Sequence, residues 1–366
     1  MGRTTNGAGK RTKGNARNRR IAAIDLFCGV GGLTKGLEKS GIDVKLGVDI
    51  DPACEYPYEA NNGAAFLLKS VADLDADDLV SNVRGAGYTL LAGCAPCQPF
   101  SSYQQKLGPS DERWHLLGHF GRLAKELDPD FITMENVPNL ARQSVFKKFV
   151  AQLEALDFHV TYEVVNCAEF GVPQQRQRLV LLASKLGPIA LLRTKAKPKT
   201  VRQAIGDLPP IDAGEAYDSD PLHQASELSE LNMRRIRASV PGGTWRDWKK
   251  ELVADCHKRE TGKTYPSVYG RMKWDEPAPT MTTQYFGFGN GRFGHPEQDR
   301  AISLREGAIL QSFPKSYKFV RSGEPIYCKT IGRLIGNAVP VKLAEAIGKS
   351  IVAHVESHSG PQKRAA

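Results

Sequence analysis

Residues 21–27 form an apolar run broken only by Asp25. The run stops at Cys28-Gly29-Val30-Gly31-Gly32 and is succeeded by a helical pattern through Lys39. A strand that turns through glycines into a helix lets backbone N–H groups approach a ligand where no Cβ stands in the way. Glycine clusters also occur in plain packing turns, so the unit gains meaning only from the strands and acids downstream of it. Residues 44–48, 64–68, 88–92 and 131–134 are further short apolar runs, separated by helical or polar stretches. That alternation predicts an α/β fold with a parallel, doubly wound sheet, whose ligands bind outside the carboxyl ends of the strands. The second run delivers Asp49 and Asp51 about 20 residues past the glycine turn, where an acid accepts from ribose hydroxyls. Asp49 is the better ribose candidate; Asp51, before Pro52, is the better helix cap. Asp73 comes after the third run, where an adenine amino group would be met, and Asp75, Asp77 and Asp78 read as a solvated helix start.

The fourth run ends in Gly93-Cys94-Ala95-Pro96-Cys97-Gln98-Pro99-Phe100-Ser101. Pro96 and Pro99 bias the residues before them away from helical geometry, so the Cys97 thiol sits on a stiff, extended turn at the sheet edge. A cysteine there reads as a nucleophile, as a buried small hydrophobe, or with Cys94 as a redox or metal pair. No second CxxC or paired histidine occurs at zinc spacing. The polar stretch 101–115 reads as a mobile lid. The fifth run ends in Glu135-Asn136-Val137-Pro138, so Glu135 leaves its strand as Cys97 leaves its own, unless it is only a turn residue. Residues 159–166 and 179–184 read as two strands joined by a Gln-rich basic turn. Arg176 and Arg178, two apart on an extended chain, point the same way. They suit a solvated edge or a donor aimed at a base carbonyl.

The chain has 50 Lys and Arg against 40 Asp and Glu, a net charge of +10, which favours a polyanionic partner. Part of the excess lies in residues 1–19, which read as a disordered basic tail. Seven cysteines, an odd number scattered through 366 residues, argue for a reduced, cytoplasmic protein. No apolar run is long enough for a membrane span, and the N-terminal segment lacks the apolar core of a secretory signal. From residue 193 to 330 cations interleave with aromatics, as in residues 241–246, 265–271 and 284–292. That pattern fits phosphate and groove contact, or a loop-rich domain whose aromatics are core. Residues 335–340 read as the opening of a final helix, with Leu343, Ile347, Ile351 and Val355 on one stripe.

In their order and wording these motifs resemble those of the DNA (cytosine-5)-methyltransferase family. Residues 25–32 resemble its opening cofactor motif, 93–101 its Pro-Cys-Gln motif, 135–137 its glutamate motif and 174–179 its Gln-x-Arg-x-Arg motif. Residues 202–209 resemble the passage into its recognition region and 335–340 its closing motif, with Ala338 where serine is frequent. The resemblance runs from about residue 22 to 350. It implies a class I, Rossmann-like methyltransferase domain that takes S-adenosylmethionine, needs no metal, and methylates carbon 5 of a cytosine flipped out of duplex DNA. Cys97 would add to carbon 6. Glu135 would hold or protonate ring N3 and the exocyclic amine, Arg178 would bind the 2-carbonyl, and Arg176 would support them. Phe27, Gly29, Gly31, Gly32, Asp49, Ile50, Asp73, Pro96, Asn337 and Ala338 would line the cofactor site.

The expected organisation is a catalytic domain over residues 20–187, to which 326–356 return. A smaller, loop-rich β target-recognition domain spans 188–325, and 357–366 are frayed. The expected partner is double-stranded DNA with a short target of roughly 4–6 base pairs. The enzyme is expected to be monomeric and nucleoid-associated, with a restriction endonuclease as a candidate functional partner. The rival readings are an RNA (transfer RNA) cytosine methyltransferase on the same scaffold and a non-catalytic DNA-binding regulator.

Overall fold

Seven strands build the central sheet of this computed structural model, which describes residues 19–96, 115–193 and 197–359. They are β1 (Ile21–Leu26), β2 (Asp43–Asp49), β3 (Ala65–Leu68), β4 (Tyr88–Gly93), β5 (Phe131–Asn136), β6 (His159–Asn166) and β7 (Gln177–Ser184), in the spatial order β3-β2-β1-β4-β5-β7-β6. The first five are mutually parallel, while β7 runs antiparallel to both β5 and β6. From β1 the chain moves outward through β2 to β3, then crosses back to place β4 on the other side of β1. The switch point therefore lies at the carboxyl ends of β1 and β4, where open α/β sheets form their ligand crevice. The expected doubly wound sheet is present. The basic tail expected over residues 1–19 and the lid expected over 101–115 lie almost wholly outside the described residues.

β1 is buried along its whole length and divides its side chains between two cores. Ile21 and Ala23 face a layer made by α1 (Gly32–Lys39) and the helix Val341–Ser359, whose predicted stripe, Leu343, Ile347, Ile351 and Val355, packs there with Leu33 and Leu37. Ala22, Ile24 and Leu26 face the opposite layer, with Leu79 and Val83, Leu117, Phe120 and Leu123, and Phe146, Phe149 and Leu153 from three further helices. Period-2 alternation of a strand between two apolar layers is what a sheet covered on both faces requires. The contact between α1 and the last helix is close. A Cβ added at Gly36 would stand 2.3 Å from the Ala344 Cβ and 2.5 Å from the Val341 carbonyl oxygen. Ser184 Oγ meets His354 Nε2 at 3.0 Å, and Leu192 N donates to Ser350 Oγ at 2.9 Å, so the chain stays on this layer past residue 187. The last helix also runs to Ser359, beyond the start of the expected frayed end at 357.

The region after residue 193 differs from expectation in two respects. Its β content among the described residues is one hairpin, Ala216–Tyr217 with Asp220–Gln224, plus isolated bridges. Nor is its core separate: Val201, Ile205, Met272, Met281, Ile302, Leu310, Phe313 and Tyr317 share one cluster with Val30 of the glycine turn and Cys54. A smaller cluster of Ile236, Trp245, Trp248, Leu252, Phe288 and Ala301 stands apart from it. Residues 335–340 also differ from expectation. Asn337 closes one helix, Cys328–Asn337, and the next begins at Val341, because Pro340 cannot donate to a continuing helical ladder.

Candidate active site

The carboxyl edge of β1 carries a strained turn. Phe27 adopts φ 57°, a left-handed conformation costly for an aromatic residue, and Gly29 comes next at φ 53°. Asp49, at the end of β2, fixes this turn: its Oδ2 accepts from Gly29 N at 2.8 Å and its Oδ1 from Asp51 N at 2.9 Å. Burial pushes the Asp49 carboxyl above its ordinary value, against the pull of these backbone donors. Asp51 is the helix cap expected of it, accepting from Ala53 N at 3.0 Å, and it also receives Arg333 Nη2 at 2.7 Å.

Above this edge lies a cavity of about 430 Å³, lined among others by Phe27, Gly29, Asp49, Ile50, Pro96, Asn337 and Ala338. These are seven of the ten residues expected around a cofactor. Gly31 and Gly32 do not line it. A Cβ at Gly31 would strike Asn62 and approach Tyr58 and Tyr317, and one at Gly32 would stand 2.3 Å from the Val339 carbonyl, so both glycines serve packing. Asp73 is exposed and absent from the wall, where Lys69, Ser70 and Val71 stand instead. Among the described residues nothing stands within 4 Å of where a Cβ on Gly29 would lie. That open cradle, apolar Phe27 and Leu33, and Asp49 on one side fit a nucleoside with ribose hydroxyls. Two wall residues, Arg333 and Lys69, had no signal in the sequence beyond their charge.

The second group of residues sits beside the cavity. On β5, Glu135 lies opposite Val180 of β7, so Arg178, two residues along, is its diagonal neighbour on the same face. Arg178 Nε stands 2.8 Å from Glu135 Oε1, with the two side chains 11% and 3% exposed. The other carboxylate oxygen, Oε2, takes a hydrogen bond from Cys94 Sγ at 3.1 Å. Asn136 Nδ2 donates to Ala95 O at 2.9 Å and so ties the end of β5 to the turn leaving β4. Cys97 itself lies outside the described residues. Burial pushes the thiols of Cys28 and Cys54 up, and that of Cys167 to about 12, so none of these three supplies a thiolate near neutral pH.

Arg176 points elsewhere than Arg178. It is buried, donating from Nη1 to Met281 O at 2.8 Å and from Nη2 to Gly336 O at 3.1 Å. Gln311 Nε2 donates to Ile335 O at 2.9 Å, and Gln174 Nε2 donates to Gln311 Oε1 at 2.9 Å. Together Gln174, Arg176 and Gln311 fasten the turn at 335–338 that closes the cavity.

Beneath the glycine turn Asp25 is fully buried. Its Oδ2 accepts from Thr34 Oγ1 at 2.7 Å, while Oδ1 has no hydrogen-bond partner among the described residues. Burial raises its pKa to about 7, with Thr34 opposing and Asp49 adding to the rise. An unfolded Asp releases its proton near pH 4, so from there to about 7 the native state holds a proton that the unfolded chain has lost, and stability falls as pH rises. Asp25→Asn removes that penalty. The variant is expected to be more stable than wild type at pH 8, by about 4 kcal/mol at most, and to converge with it near pH 4. Calorimetry across this range checks it; a parallel offset at every pH would refute the titration argument.

The strand order and the cavity at the switch point define the fold as that of a class I methyltransferase. A solved structure named for a prophage-encoded DNA modification methyltransferase (E. coli) has the same fold, with a TM-score of 0.70 at 24% identity, covering 92% of this chain and 99% of that one. The Dnmt2 methyltransferase of S. pombe matches at a TM-score of 0.57 and 18% identity, over 92% of this chain and 99% of its own. The chain belongs to the C-5 cytosine-specific DNA methylase family, whose model matches residues 21–353, and is a DNA (cytosine-5)-methyltransferase. It is 51% identical to the Type II methylase M.HgiDII of Herpetosiphon aurantiacus over 92% of this chain and 96% of that protein. To the Type II methyltransferase M1.HphI of Haemophilus parahaemolyticus it is 32% identical, over 91% and 87%. Among the described residues no helix is long and apolar enough to cross a membrane.

Proposed function

We propose that this enzyme methylates a cytosine flipped out of a short, specific duplex sequence, through a covalent adduct on Cys97, as the modification half of a Type II restriction–modification system. S-adenosylmethionine, held by the residues lining the cavity, would supply an electrophilic methyl group and leave as S-adenosylhomocysteine. Carbon 5 of cytosine is too weak a nucleophile to take it unaided. The Cys97 thiolate adds to carbon 6, and the electron pair of the 5,6 double bond then becomes available at carbon 5. Glu135, arriving protonated, gives its proton to ring N3 as negative charge develops there and then accepts from the exocyclic amine, and Arg178 holds the 2-carbonyl. After transfer the carbon-5 proton leaves to a base or to water, the double bond reforms and the sulfur departs. Asp49 and Ile50 position the nucleoside part of the cofactor, and Asn337 and Ala338 close over it. The supporting observation is the Glu135–Arg178 pair, buried beside the cavity at the edge from which the chain leaves β4 toward Cys97. Residues 188–325 form the DNA-reading wall, with residues 210–275 as its recognition core.

The test is a mixed-sequence duplex pool in which 5-fluorocytosine replaces cytosine, incubated with S-adenosylmethionine. Fluorine cannot leave as the carbon-5 proton does, so the enzyme should be trapped as a denaturation-resistant adduct that maps to Cys97 and is absent from Cys97→Ala. Sequencing the trapped DNA then gives the target. An adduct on transfer RNA alone would move the substrate to RNA, and no adduct on either, with cofactor binding retained, would remove the covalent mechanism.

A further inference from the structure

The Cys94 thiol stands between the two halves of the site. It lines the cofactor cavity with Ala95 and Pro96, and at 3.1 Å it donates to Glu135 Oε2, while Arg178 Nε holds Oε1. The turn that carries it is fixed from two sides: Cys94 N donates to Leu26 O at 3.3 Å, and Asn136 Nδ2 donates to Ala95 O at 2.9 Å. The sequence suggests a redox or metal pair with Cys97 at this place, and neither accounts for a thiol aimed at a buried carboxylate.

We propose that Cys94 is a positioning residue for methyl transfer, one that sets the orientation of the Glu135 carboxylate through its S–H donor. The inference rests on the role given to Glu135 above. Arg178 meets Oε1 as an ion pair outside hydrogen-bond geometry, which leaves the carboxylate able to rotate about its last bond. The Cys94 S–H, a hydrogen-bond donor on Oε2, removes that freedom. A thiol is a weak donor, so the contact orients Glu135 without competing strongly with the exocyclic amine of an arriving cytosine. A catalytic carboxylate held by neighbours before substrate arrives needs less reorganisation during the reaction.

A packing role and a donor role rank the substitutions in opposite orders. Alanine replaces a buried packing cysteine better than serine does, because serine brings a polar group; serine replaces a donor better than alanine does. The experiment measures the single-turnover rate of methyl transfer from labelled S-adenosylmethionine to genomic DNA lacking cytosine methylation, the cofactor Kd, and the unfolding temperature. At saturating cofactor Cys94→Ser is expected to keep the rate within about threefold and Cys94→Ala to lose about tenfold, the cost of one hydrogen bond to a charged group. In a Glu135→Gln background Cys94→Ala should add less than about twofold, because the two act as one unit. A rate for Cys94→Ala equal to wild type or above Cys94→Ser overturns the proposal, as does an undiminished effect in the Glu135→Gln background. If Glu135→Gln itself leaves the rate unchanged, the role of Glu135 fails instead, and the two failures are distinguishable.

Discussion

Glu135→Gln is expected to slow methyl transfer to DNA by about 10²–10⁴-fold, the range for losing a positioned acid–base group. The substitution is chosen because it leaves the local structure in place. The new amide oxygen can still face Arg178 Nε, and the side chain keeps its volume in a site where Glu135 is 2% exposed. What disappears is the negative charge and the ability to exchange a proton with the ring. Arg178, 11% exposed, then faces a neutral partner, which costs some stability without emptying the site. The cofactor Kd should change little, since Glu135 does not line the cavity. The loss is expected in the single-turnover rate, together with slower formation of the 5-fluorocytosine adduct. A variant that folds, binds cofactor and methylates at the wild-type rate would remove Glu135 from the chemistry.

The strands, their glycine turn and the acid after β2 are legible in the sequence because each rests on local chemistry: apolar runs of strand length, glycines at a turn, an acid at a strand end. Asp49 lines the cavity, and Asp51 caps as Asp-Pro predicts. Glu135 and Arg178 are legible individually, but their pairing depends on β7 running antiparallel to β5 in one register, which no periodicity encodes. Arg176 reads the same as Arg178 along the chain and differs only because the partners it meets, Met281 and Gly336, lie more than 100 residues away. Distance from a strand points to Asp73, yet the short helix Val71–Asp73 leaves it exposed. Along the chain the Cys94 thiol pairs with Cys97, its neighbour in sequence, whereas its partner in space is on β5.

The same limit explains why the second region reads as a separate body. Its composition changes after residue 193, but composition does not reveal that Tyr317 O–H donates to Val30 O at 2.5 Å, joining that region to the glycine turn. A lobe fastened in this way passes its own stability to the cofactor site. Phe313, Tyr317 and Val30 occupy one core, so loosening the lobe should loosen the turn that lines the cavity.

Glu306→Gln is expected to be the most destabilising single change in that lobe, by about 3–5 kcal/mol, because it leaves a buried charge without its partner. Arg300 is fully buried and bidentate on Glu306, with Nη1 to Oε2 at 2.7 Å and Nη2 to Oε1 at 2.8 Å. Glu306 Oε2 also accepts from Ser303 N at 2.6 Å, closing the cap of the helix Leu304–Leu310. Burial alone would raise the Glu306 pKa, but the hydrogen bonds and charge of Arg300, with His295 and Ser303, hold it at about 2. A carboxyl whose folded pKa is depressed contributes stability above its unfolded value near 4.5, and that contribution is lost as pH falls toward 2. His295 adds to acid lability from the other side. Burial lowers its pKa to about 4, so between pH 6.5 and 4 the unfolded chain takes up a proton that the native state refuses. Denaturant unfolding at pH 7 should therefore give Glu306→Gln a much lower midpoint. Replacing both partners, as Arg300→Met with Glu306→Leu, should recover part of the loss, since no charge is then stranded. The recovery stays partial because Arg300 Nε also donates to Ile211 O at 3.0 Å, and that carbonyl loses its donor. A double variant less stable than Glu306→Gln would show that the pair stabilises the lobe by its own attraction rather than by mutual neutralisation.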